Sequence, residues 1–390
     1  MLMISPVTEQ AVAALLSELI AIPSINPGFR RDEPAGWFGE ERLARFVGDW
    51  LVRAGADVSY EDVEPGRPNV VARLGAGCRT RMIWEGHLDT VQVAGMTIEP
   101  FTPMIREGRI YGRGAVDDKG CLAMFMLALQ ALAAEGCPVD LTFLAAVDEE
   151  ATFKGVMHHI GCSRPYDFGI AGEPTGLGII SACKGVIRWR VTVHGRAAHT
   201  ATPQNGIDAG AIGMALVRAF LDAVDQLTTV HPLLGQPTLT CTRFEAGEGL
   251  NTVPSRADLT FDYRLLPDRT GPEAWNELFT VARRFAAALP EGASIDMQPP
   301  FIDSASMEVT AENRVVGLMQ NVCAAFGRST AIAGVPFGSD ATKLTRAGIP
   351  TIVFGPGSIE QAHTADEFVA LNEVALAANM LIAGVRMAGE

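Results

Sequence analysis

Basic charge is scarce in this sequence. The 390 residues carry 31 Lys and Arg against 45 Asp and Glu, a formal net charge of -14. A nucleic acid or an anionic membrane needs a basic face that displaces counterions, so neither is expected as a partner. Paired cysteines are missing too: the 7 Cys (78, 121, 137, 162, 183, 241 and 323) are odd in number, scattered, and form no C-x-x-C. That excludes a disulfide framework and fits reduced thiols in a cytoplasmic protein. No apolar run reaches the about 18–20 residues that cross a bilayer. The opening "MLMISPVTEQ" lacks the charged and apolar regions of a secretory leader. The composition therefore predicts a soluble cytoplasmic protein.

The chain is too long for one core, so two domains are expected. Ser5-Pro6 reads as a cap with Pro at the first helical position, opening a helix that runs to about Ile20. A second helix is expected over 39–54 and a strongly apolar one from Lys119 to Glu135. Buried strands are expected at "NVVARL" (69–74), "RMIWEGH" (81–87) and "VDLTFLAAV" (139–147). Such alternation predicts an α/β domain with a mainly parallel sheet and helices on both faces. Near Lys184 the pattern changes. "GVIRWRVTV" alternates, and strand–helix–strand–strand–helix–strand follows, the order of a split ferredoxin-like α+β unit. The expected plan is one domain over 1–183 and 299–390, interrupted by another over 184–298.

Charged residues cluster where the strands of the α/β domain end, which is where open sheets bind ligands. His87 and Asp89 follow "RMIWEG". Asp117 and Asp118 precede the Lys119 helix. Asp148, Glu149 and Glu150 follow "LTFLAAV", Glu173 follows "FGIAG", and His363 comes after "TIVF". Taken singly, each has an ordinary alternative: a loop histidine, a helix cap for Asp118, a turn at Glu173-Pro174. Together, two His and several carboxylates make a mixed nitrogen and oxygen set suited to zinc or another divalent first-row ion. Carboxylates packed this closely repel and take up protons, and cations remove that cost. A hydroxide shared by two such ions is nucleophilic near neutral pH. "GRGAVD" is no dinucleotide fingerprint, because Asp117 stands where the third glycine belongs.

The ordered motifs "IAIPSINPG", "GHLDTV", "YGRGAVDDKG", "VDEE", "GEPT", "GRAAHTATPQNGIDA", "GLNTVPSRADLTFDYRLLP" and "AHTADEF" span nearly the whole chain. They resemble the dinuclear-zinc amidohydrolase/peptidase family of acetylornithine deacetylase, succinyl-diaminopimelate desuccinylase, aminoacylases and glutamate carboxypeptidase. The resemblance implies a zinc-peptidase-like catalytic domain interrupted by a lid and dimerisation domain. It implies His87, Asp117 and Glu173 as ligands of one ion and Asp117, Glu150 and His363 as ligands of the second, with a cis peptide at Asp117–Asp118. It implies two divalent ions, zinc first, with cobalt or manganese accepted by the same ligands.

The same resemblance implies Glu149 as general base and Asp89 as the acid that orients the His ligand. His199 resembles the histidine that a homodimer partner inserts to stabilise the oxyanion. Asn251 and Arg264 resemble residues that hold a substrate carboxylate, with an Arg264–Asp262 ion pair as the alternative; Ser339 is a further substrate-contact candidate. Glu rather than Asp at position 173 favours the family's deacylases over its peptidases. The activity expected is metal-dependent hydrolysis of the amide of an N-acyl amino acid or related small carboxylate. The alternatives are a dipeptidase or carboxypeptidase of the same family and a non-catalytic binding protein on this fold.

Overall fold

The computed structural model describes residues 6–29, 32–163 and 165–390. They form two compact units, one of residues up to 181 with 309–333 and 339–390, the other of 182–308 with 334–338. The chain begins with α1 (Glu9–Ile20) and α2 (Glu41–Arg53). The hairpin β1 (Asp57–Glu64) and β2 (Arg67–Leu74) follows, then β3 (Arg81–His87) and a small hairpin, β4 (Met104–Arg106) and β5 (Arg109–Tyr111). Next come α3 (Lys119–Glu135), β6 (Asp140–Ala146), α4 (Lys154–Cys162), β7 (Phe168–Ala171) and β8 (Ile179–Cys183). The second unit supplies β9 (Gly185–His194), α5 (Ala209–Asp225), β10 (Thr238–Ala246), β11 (Arg256–Leu265), α6 (Gly271–Ala286), β12 (Ser294–Met297), β13 (Ile302–Ser304) and β14 (Met307–Glu308). The chain closes with α7 (Arg314–Ala325), β15 (Ile332–Val335), α8 (Asp340–Arg346), β16 (Thr351–Val353), β17 (Phe368–Ala370) and α9 (Leu371–Gly389).

The first unit's large sheet runs β1-β2-β6-β3-β7-β16-β8. Its four middle strands, β6, β3, β7 and β16, are parallel. The flanking pairs β1–β2, β2–β6 and β16–β8 are antiparallel, so the sheet is mixed rather than mainly parallel. Only two residues join β1 to β2, with Gly66 at φ 74, and a turn that short permits antiparallel pairing alone. Strand β1 escapes a pattern search because Asp57, Glu61, Asp62 and Glu64 sit on an edge strand with no fully buried residue.

Strand β3 shows how both faces are covered. Met82 and Trp84 join a core built with α1, α2, α3, α7 and α9, while Ile83 joins Val156 of α4 and Leu344 of α8 on the opposite face. Trp84 stacks on Phe125 with ring centroids 5.4 Å apart. Helix α1 begins at Glu9, capped by the Thr8 hydroxyl, which accepts from Ala11 N at 3.2 Å; the expected cap, Ser5, lies outside the described residues. Helix α9 is long and apolar enough to cross a membrane by length and composition, although Glu373 and Arg386 interrupt its apolar run. Its Val374, Ala378, Leu381 and Val385 are buried in the first unit's core, as in a core helix.

The second unit's strands lie in the order β10-β11-β9-β12, all antiparallel, which is the split ferredoxin-like arrangement. Ile187, Trp189, Val191 and Val193 of β9 face α5 and α6 in one core, with Trp189 stacked on Phe261 at 5.1 Å. This unit extends past residue 298, because β13 adds to β9 alongside β12.

Candidate active site

The geometry centres on Asp117. His87 ends β3, and its Nε2 lies 2.9 Å from Asp117 Oδ1. His363 Nε2 lies 3.2 Å from Asp117 Oδ2 and 3.1 Å from Glu150 Oε1. One carboxylate thus meets an imidazole on each oxygen. Asp117 precedes α3 through a cis peptide bond to Asp118. Asp118 makes no side-chain cap; its Oδ2 accepts from the His87 backbone N at 2.9 Å. That approach needs Gly86, since a Cβ there would lie 2.8 Å from Asp118 Oδ2.

Two donor groups result, His87, Asp117 and Glu173, and Asp117, Glu150 and His363, each with ligand atoms within 4.8 Å of one another. Their charges fit cations. Burial, together with the nearby Asp117 carboxylate, pushes the Glu150 and Glu173 carboxyls up, the latter well above the usual range. Burial likewise raises Glu149 well above it. Asp117 goes the other way: despite burial, hydrogen bonds to His363 and His87 hold it low. The His363 imidazole is pushed up to about 10 by its bonds to Asp117 and Glu150. Two dications would relieve the repulsion among these carboxylates and take over the places of the imidazole protons, so the residues present fit a dinuclear site.

The adjacent acids Asp148, Glu149 and Glu150 divide by orientation. Asp148 stands in the left-handed region at φ 71, one that Asp adopts more readily than most residues. Its Oδ1 accepts from Arg67 Nη2 at 2.9 Å and Asn26 Nδ2 at 3.1 Å, and its Oδ2 from the Thr152 hydroxyl. Arg67 is in turn gripped by the buried Glu40, with Nε 2.8 Å from Oε2. The next two backbone N–H groups, of Glu149 and Glu150, donate to Asp89 Oδ1 and Oδ2 at 3.1 and 3.0 Å. Asp148 and Asp89 together shape the turn that presents the two glutamates.

Asp89 also lies beside His87, where it is expected to orient the ring. Its carboxylate lies 3.6 Å from His87 Nδ1, outside hydrogen-bond range, and His87 Nδ1 is met by the Asp89 backbone O at 3.0 Å. Sequence reasoning missed Arg67, Glu40 and Asn26. Of these only Asn26, inside "IAIPSINPG", lies in a motif that drew attention.

The other candidates are placed as follows. His199 and Asn251 are exposed on joined loops of the second unit, where Thr200 N donates to Asn251 O at 3.0 Å and His199 bridges Thr252. Arg264 forms the ion pair with Asp262, Nε to Oδ1 at 2.7 Å. Ser339 is buried and caps α8, its hydroxyl accepting from Ala341 N at 3.3 Å.

Residues 83–386 match the sequence profile of peptidase family M20/M25/M40. The chain belongs to that family. An acetylornithine deacetylase from Vibrio atlanticus is 29% identical over 362 residues, covering 91% of this chain and 93% of that protein. Among solved structures, a tripeptidase from Staphylococcus aureus superposes with a TM-score of 0.82 at 20% identity, covering 99% of this chain and all of that one. A dinuclear metal-binding M20 peptidase from Bacillus subtilis gives 0.71 at 14% identity, covering 97% and 98% of the two chains. M20 membership makes this protein a metallohydrolase of amide bonds, of the deacylase or peptidase kind.

Proposed function

We propose that this M20 protein is an N-acyl amino acid deacylase. The observation that carries this reading is the extent of the match to acetylornithine deacetylase, 91% of one chain and 93% of the other. The structural likeness to peptidases, at 20% identity or less, speaks for the fold alone. Glu173 supports the same side of the family.

In this reading His87, Asp117 and Glu173 hold one divalent ion, and Asp117, Glu150 and His363 the other, zinc first, with cobalt or manganese as substitutes. Such ions, when bound, supply Lewis acidity toward the acyl carbonyl and make water acidic enough to react near neutral pH. Glu149 takes the proton of the attacking water and passes it to the leaving amine. Its place supports this role, because Glu149 adjoins the ligand candidate Glu150 yet belongs to neither donor group. Asn251 and Arg264 hold the substrate carboxylate. Seven free cysteines support a reducing, cytoplasmic setting.

A panel of N-acetyl and N-succinyl amino acids and dipeptides, assayed before and after chelation, tests the proposal. N-acyl substrates should be cleaved fastest, and activity should vanish on chelation and return with zinc. Dipeptides cleaved fastest would favour the peptidase alternative. No chelator-sensitive hydrolysis at all would point to a non-catalytic binder.

The second unit carries the remaining part of the proposal, a homodimer in which the partner's histidine stabilises the oxyanion. The exposed position of His199 on its loop supports it. A His199→Ala chain should be inactive alone and should recover partial activity when mixed with a Glu149→Ala chain. Absence of recovery under demonstrated subunit exchange counts against a histidine acting across the dimer.

A further inference from the structure

Glu367 belongs to neither donor group, yet it is fully buried, at 0% exposure, four residues after His363. Its two oxygens accept four hydrogen bonds. Oε2 takes Arg113 Nη1 at 2.5 Å and Gly114 N at 3.0 Å. Oε1 takes Val116 N at 3.0 Å and Asp117 N at 3.2 Å. The Glu367 backbone O also accepts from Gly112 N at 3.1 Å. From there β17 continues in register with β5, Phe368 opposite Tyr111 and Val369 opposite Ile110.

These bonds have a common effect. The stretch 112–117 leaves β5 and must deliver Asp117 before α3 begins, and it has no ladder of its own. Gly114 stands at φ 82, and a Cβ there would lie 2.9 Å from Thr90 Cγ2, so the loop is tightly folded. Buried backbone N–H groups in such a loop need acceptors, and one carboxylate supplies three. A buried ion pair serving stability alone would need only Arg113. The three N–H bonds tie the shape of this loop, and with it the Asp117 side chain, to the segment that carries His363.

We propose that Glu367 is a positioning residue of the metal centre, whose carboxylate fixes the Arg113–Asp117 loop so that Asp117 meets both donor groups in register with His363. The inference rests on the two-ion reading above. Gln at this position has nearly the same shape but turns one acceptor oxygen into a donor, which would face backbone N–H groups.

The test uses the full chain, stripped of metal, and Co2+ as probe, followed by calorimetry and by the visible absorption of the bound ion, without substrate. The wild-type chain should take up two equivalents. Glu367→Gln should bind both about 10–100-fold more weakly, the range seen when outer partners of metal ligands are lost, with altered band intensities. Thermal unfolding of the metal-free chains is recorded in parallel. A lowered melting temperature with wild-type Co2+ affinity and spectrum would reduce Glu367 to a structural residue and overturn the inference. If the Gln variant does not fold, Glu367→Asp gives the same comparison, since it keeps the charge for Arg113 but is one methylene shorter; wild-type affinity there would equally overturn it. A wild-type chain that takes up no Co2+ would overturn the two-ion reading and this inference with it.

Discussion

Glu149→Gln is expected to lower kcat by about 10²–10⁴-fold, the usual contribution of a positioned proton carrier, while both metal equivalents stay bound. The expectation follows from where the side chain stands. Glu149 is outside both donor groups, whereas its neighbour Glu150 lies 3.1 Å from His363 Nε2. Its backbone is pinned by Asp89, so the substitution leaves the turn intact. Kinetics on an N-acetyl amino acid, read beside metal content by atomic absorption, give the result. Turnover near wild type would remove Glu149 from the mechanism, and loss of metal would make it a ligand instead.

Asp117→Asn should have the broader effect, loss of both metal equivalents and of all chelator-sensitive activity. Asp117 is the only residue common to the two donor groups, and each of its oxygens meets a different imidazole. An amide offers one oxygen and no charge, so at least one group loses its shared ligand outright and the other loses a counter-charge. Glu173→Ala, which touches one group, should remove one equivalent. The drop in affinity for Asp117→Asn should exceed the about 10–100-fold that follows loss of an outer partner. Titration of metal-free protein measures it. Two tight equivalents in Asp117→Asn would sink the shared-ligand assignment.

The ligand candidates could be read from the sequence because each stands at the end of an apolar run or at the start of a helix, inside a motif with fixed neighbours. Their supports could not. Arg67 reaches Asp148 across 81 residues and Glu40 across 27, and Glu367 reaches Gly114 across 253. Nothing in local spacing signals such pairs. Asp89 stands out in the sequence for its place beside His87, but the two backbone N–H groups it holds belong to a turn 60 residues away. The antiparallel flanks of the large sheet were hidden for a related reason. Strand direction depends on which neighbour a strand finds, and β2 pairs with β6 rather than with β3, the strand that follows it in sequence. The ferredoxin-like order was legible because its strands and helices are consecutive.

The long segment between β8 and α7 leaves and rejoins the chain at neighbouring rungs of one ladder. Ser181 and Val309 are linked by a hydrogen bond of 2.8 Å, and Cys183 and Met307 are partners in the next rungs of the same ladder. Departure and return of the 182–308 segment are therefore adjacent, and all five ligand candidates lie outside it. The ligand-bearing loops and the inserted segment therefore occupy separate stretches of the chain.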